Sequence, residues 1–128
     1  MSVTSSKKIE GLAFQIESSG FSVPVDVSEK LGGKNSAPDP HDYIEIALAG
    51  CTIITVQMYA NRKKIPLDFT DVTVKITAEG AINEILREVR FVGEGLTAED
   101  RESLLKIADK CPIHKLLSAG VKITTKML

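Results

Sequence analysis

Apolar positions at the start of the chain recur at the spacing of strands. Residues 7–17 read as one strand, closed by a Ser18-Ser19-Gly20 turn. Phe21, Val23, Val25 and Val27 then alternate with other residues, the two-residue period of a half-buried strand. Pro24 has no amide hydrogen to give to a ladder, which predicts a free edge or a bulge there. These two strands are expected to pair as an opening hairpin. Residues 28–39 are loop by composition, and a loop of that length in a compact domain is expected to flank a site. Its Gly32-Gly33-Lys34-Asn35 is not a phosphate-binding loop. Asn35 follows the lysine, and no glycine stands five positions before Gly33.

Asp39-Pro40-His41-Asp42 marks a helix start. Asp39 suits the cap, Pro40 the first helical position, and Asp42 brings a carboxylate to the positive helix end. The helix is expected to run to about Arg62 and to stop before Pro66. It is apolar on nearly every face, which predicts enclosure by other elements. Ala47, Ala49 and Gly50 would let another backbone approach closely.

Val72, Val74 and Ile76 alternate with Thr73, Lys75 and Thr77, which predicts a strand. A turn around Gly80 leads to a second, with Ile85, Val89 and Phe91 on one face. Thr97-Ala98-Glu99-Asp100 resembles a capping box that opens a helix to about Lys110. Pro112 interrupts it, a short helix follows to Leu117, and Gly120 ends that. Residues 121–127 alternate as a final strand. The order is β-β-α-β-β-α-α-β, an α+β arrangement without internal repeats.

The 128 residues are expected to form one domain spanning 1–128, large enough to bury roughly two thirds of the unfolded surface. Sixteen basic and 17 acidic residues give a net charge of −1, so no nucleic-acid or anionic-membrane partner is expected. The run Arg62-Lys63-Lys64 reads as a solvated helix end. The first ten residues are polar, without the apolar core of a secretory signal. Residues 43–60 carry Glu45, Thr52, Thr55 and Gln57, which suits a helix inside a protein better than a bilayer span. A soluble, cytoplasmic protein is expected.

The two cysteines, 60 positions apart, should therefore be reduced thiols. With only His41 and His114 beside them, they do not make a metal set. By position alone, Cys51 reads as a small buried core residue, and burial would make it inert. Cys111 precedes Pro112 and so adjoins a helix N-cap, where unpaired amide hydrogens and the helix dipole favour thiolate. His114, three residues on, lies on the same helical side and reads equally well as a surface residue or a functional partner.

Two segments carry a resemblance. Pro40-His41-Asp42-Tyr43-Ile44-Glu45-Ile46-Ala47-Leu48-Ala49-Gly50-Cys51-Thr52, followed by Met58-Tyr59-Ala60-Asn61-Arg62-Lys63, resembles the central-helix motif of the OsmC/Ohr family. Ala108-Asp109-Lys110-Cys111-Pro112-Ile113-His114-Lys115-Leu116 is similar to that family's second-cysteine motif, in the Cys-Pro-x-His form of its OsmC-like branch. The resemblance implies an intertwined homodimer whose antiparallel sheets enclose two central helices. It also implies a thiol peroxidase for organic hydroperoxides. Cys51 would attack the peroxide, Cys111 would resolve the sulfenic acid as a disulfide, and a dithiol reductant would restore both. No metal, haem or flavin is needed.

The resemblance further implies an arginine held against the reactive thiolate. None precedes Arg62, so Lys8, Lys30 or Lys34 is the expected electrostatic substitute. Asp42 stands nine positions before Cys51, ~13.5 Å along a helix and half a turn out of phase. It is a candidate catalytic acid only across a dimer of antiparallel helices; otherwise it is a capping carboxylate. Glu45 is a second candidate acid. Two readings compete with the peroxidase: a non-catalytic dimer binding a small apolar or thiol ligand at the subunit interface, and a general thiol–disulfide exchanger.

Overall fold

Gly11 breaks the first apolar stretch. Its φ of +57° lies in the left-handed region that a side chain disfavours, and the chain reverses there. Where the sequence suggested one strand over 7–17, the computed structural model, which describes residues 3–128, has two. These are β1 (Val3–Glu10) and β2 (Ala13–Ser18), and the hairpin becomes a three-stranded antiparallel sheet with β3 (Phe21–Val25). Ile16 pairs with Val23 and Gln15 with Pro24. The sheet order is β1-β2-β3, so Pro24 sits on an edge strand, where its missing donor costs nothing.

This sheet belongs to a first compact unit ending at Ile44. The loop after it is ordered by one buried carboxylate. Asp26 Oδ1 accepts the Val27 N–H at 2.7 Å, while Oδ2 accepts the Lys34 and Ser36 N–H groups and the Ser36 hydroxyl, the last at 2.6 Å. A Cβ on Gly33 would collide with the Val27 carbonyl and this carboxylate. Led by the Ser36 hydroxyl, these donors hold the Asp26 pKa at about 2.

Helix α1 (Pro40–Lys63) starts as read. Asp39 and Asp42 cap each other: each carboxylate accepts the other's N–H, at 2.8 and 2.9 Å. Tyr43 Oη donates to the Pro24 carbonyl.

The second unit, Glu45–Leu128, contains the rest of α1, the hairpin β4 (Phe69–Ala78) and β5 (Glu84–Val92), and helices α2 (Ala98–Ala108) and α3 (Pro112–Ala119). In α1, Leu48, Thr52, Val56 and Ala60 are buried, a stripe at four-residue spacing. Val56 and Ala60 pack with Leu67, Phe91, Leu104 and Ala108 to make the core. The Thr97/Asp100 capping box is formed, with Thr97 Oγ1 accepting the Asp100 N–H at 2.9 Å.

Two expectations are corrected. Residues 121–127 form no strand; they are exposed, Ile123 to 82%. Alternation marks a segment fit to pair, but a strand exists only where a partner edge meets it. Nor is α1 enclosed on every side. Ile46, Ile53, Ile54 and Met58 are exposed, and nothing lies within 4 Å of a Cβ placed on Gly50. By length and apolarity α1 could cross a membrane. Its polar contacts are those of a helix within a folded unit: Glu45 Oε2 accepts the Ile76 N–H of β4 at 2.9 Å, and Thr52 meets Arg87 of β5.

Candidate active site

Cys51 stands one residue before buried Thr52 on α1, half-buried, with its sulfur 3.9 Å from Thr55 Oγ1. Cys111 is wholly buried and serves as the N-cap of α3. Pro112 in the first helical position lacks an N–H, so the first free donors of the helix belong to Ile113 and His114. Each meets a sulfur. The His114 N–H donates to Cys111 Sγ at 3.2 Å, and the Ile113 N–H hydrogen-bonds to Cys51. The two thiols are themselves within hydrogen-bonding reach, although 60 positions separate them in the chain.

This arrangement divides the pair. Burial acts to raise the Cys51 pKa. Against it act the Ile113 N–H, the Cys111 thiol, the Thr55 hydroxyl and the Arg87 charge, and together they hold Cys51 below the ordinary thiol range. Burial also dominates at Cys111, and there it prevails. The neighbouring Cys51, as acceptor and as charge, pushes Cys111 further up, against the pull of the His114 N–H. The two sulfurs are shifted in opposite directions, Cys51 toward thiolate and Cys111 toward thiol.

Arg87 is a candidate site residue that the sequence reading missed. Its side chain is only 11% exposed, and its guanidinium is held at two points. Nη1 donates to Thr52 Oγ1 at 3.1 Å, and Nη2 to Asp109 Oδ1 at 2.7 Å. Thr52 Oγ1 in turn donates to the Leu48 carbonyl at 2.7 Å, which fixes its lone pairs toward the arginine. A positive charge acting on Cys51 is that of Arg87 on β5, where the sequence suggested Lys8, Lys30 or Lys34. Lys34 is exposed and paired with Glu10 at 2.7 Å.

The other candidate acids have local partners. Asp42 is engaged in the capping box at the start of α1, and Glu45 with β4. Arg87 and His114 also line a cleft of about 430 Å³, together with Leu48, Ile85, Leu86 and Leu117 and the polar Asn83 and Ser118.

The sequence profile of the family described as OsmC-like protein matches residues 33–126, which includes both cysteines and Arg87. The chain belongs to the OsmC-like family. Solved structures agree on the OsmC-like fold. An OsmC-like protein from Mycoplasma pneumoniae is 21% identical, with a TM-score of 0.63 over 88% of each chain. An organic hydroperoxide resistance protein from Legionella pneumophila is 18% identical, with a TM-score of 0.61 over 84% of this chain and 88% of that one. A structural-genomics structure reaches 0.79 at 22% identity, over 97% and 94%. No curated protein matches the chain.

Proposed function

We propose that this OsmC-like protein is a cysteine-based reductase of organic hydroperoxides. The observation that carries the reading is the Cys51–Cys111 pair: two sulfurs in mutual reach, one lowered in pKa and the other raised. The Cys51 thiolate attacks the outer peroxide oxygen, the O–O bond breaks, and the alkoxide leaves as the alcohol after taking a proton. Cys51 becomes a sulfenic acid. Cys111 attacks its sulfur, a disulfide forms and water leaves. A dithiol reductant restores both thiols by exchange. Arg87 stabilises the attacking thiolate, and the cleft it lines offers Leu48, Ile85, Leu86 and Leu117 to the organic part of the substrate.

The test is stoichiometric. One equivalent of an organic hydroperoxide should consume both thiols and leave an intrachain Cys51–Cys111 linkage by peptide mapping. Cys51→Ser should consume no peroxide. Two free thiols after excess hydroperoxide would end the proposal.

The working unit is a homodimer acting in the reducing cytoplasm, each chain serving as one domain over 1–128. Support comes from the uncovered apolar face of α1 around Gly50 and from the unpaired alternation of residues 121–127. In such a dimer with antiparallel central helices, Asp42 of one protomer reaches toward its partner's thiols, which is where a catalytic role for it belongs.

The cleft favours a second reading, a non-catalytic binder of a small apolar or thiol ligand. Slow alkylation of Cys51 at neutral pH, with a ligand retained on purification, would select it.

A further inference from the structure

Two nitrogens converge on one carboxylate oxygen. Asp109 Oδ1 accepts from Arg87 Nη2 at 2.7 Å, and His114 Nδ1 stands 3.9 Å from the same atom. Three elements contribute: β5, the C-cap of α2 and the first turn of α3. Their freedom differs. Arg87 is nearly enclosed and also anchored on Thr52, His114 is one third exposed, and Asp109 is 66% exposed. The carboxylate is therefore the member most able to shift.

We propose that His114 is a pH-sensitive positioning residue, which draws Asp109 from Arg87 when its imidazole is protonated and so turns more of the arginine's charge toward Cys51. The inference rests on the reading of Cys51 as the reacting thiol and Arg87 as its cation. A neutral imidazole holds a carboxylate weakly at 3.9 Å. An imidazolium forms a charge-assisted bond that closes to about 2.8 Å. Arg87 keeps its bond to Thr52 but loses part of its counter-charge, and the field at Cys51 becomes more positive. Beyond the three members, Cys111 Sγ accepts the His114 N–H and Cys51 feels the Arg87 charge; Lys110 and Lys115, the charged neighbours along the chain, are exposed. Thiolate and imidazolium then stabilise each other, and Cys51 stays reactive while His114 carries its proton.

The experiment measures alkylation of Cys51 by a neutral haloacetamide across the pH range in the native protein, with each cysteine scored by peptide mass. The wild-type rate should fall less steeply below neutrality than a single titration allows. His114→Gln should restore the single-site slope, running about threefold slower than wild type near pH 5.5 and converging with it in alkali. Asp109→Asn should abolish the difference that His114→Gln makes, the mark of a coupled pair. Superimposable wild-type and His114→Gln profiles would overturn the inference. Failure of the underlying reading looks different: Arg87→Met would leave Cys51 alkylation unchanged at every pH.

Discussion

Arg87 shows how a candidate site residue can hide in a pattern. It lies between Ile85 and Val89 on the inward face of β5, in the two-residue register that ends at Phe91. A charge at such a position is costly unless paired, so its presence there was itself the signal, and one that periodicity alone passes over. Pairing is what the fold supplies, through Thr52 and Asp109. Replacing Arg87 with methionine should raise the Cys51 pKa and slow its alkylation at neutral pH. The pH dependence of alkylation checks this. Thr52→Val keeps the shape but leaves a nearly buried guanidinium donor without an acceptor. It should cost about 1–3 kcal/mol in denaturant unfolding. Asp26 gives a residue-scale prediction of opposite chemical character. Its carboxyl is held at about 2, below its unfolded value, so its contribution to stability is complete above the ordinary carboxylate range. That contribution is lost as pH falls through the folded value. The Lys34 and Ser36 amide resonances should titrate with a midpoint of about 2, and Ser36→Ala, which removes the largest cause, should move that midpoint up.

At the scale of elements, strong local signals read truly and weak ones misled. The Asp39-Pro40 start of α1, the Thr97/Asp100 capping box and the Cys111-Pro112 cap rest on side chains that satisfy nearby amides, so a few adjacent residues specify them. The turn at Gly11 was less legible, because apolar positions continue across it in Ile9 and Leu12 and conceal one glycine's reversal. Helix α1 was legible in extent but not in surroundings. Its all-round apolarity predicted enclosure, whereas one chain buries a single stripe. Gly50 lies in the uncovered part, in a helix interior where glycine costs roughly 1 kcal/mol relative to alanine. A helix–helix seam would explain that cost. Gly50→Leu should then convert a dimer to monomers in sedimentation, while circular dichroism shows helix content maintained. An unchanged mass would move the seam elsewhere.

At the scale of the whole molecule, the site is an outcome of topology. Cys51 and Cys111 meet because the α2–α3 corner returns to α1, and no spacing in the sequence encodes a 60-residue closure. The family resemblance anticipated the meeting, and only the fold shows the donors that make the two sulfurs unequal. The same limit governs residues 121–127, whose alternation suggested a strand that the chain does not form. Val121, Ile123 and Met127 all remain exposed, and burying each such side chain is worth about 1.5–3 kcal/mol. If a second copy supplies the edge, these residues contribute to association and leave the fold of a single chain untouched. Val121→Lys with Ile123→Lys should therefore weaken dimerisation at least about a hundredfold, the equivalent of about 2.7 kcal/mol. Cys51 should still alkylate at the wild-type rate, because none of its described contacts comes from this segment and the role proposed for the partner's Asp42 belongs to peroxide turnover, not to forming the thiolate. Dimer loss accompanied by slower alkylation would instead mean that the partner completes the thiol site.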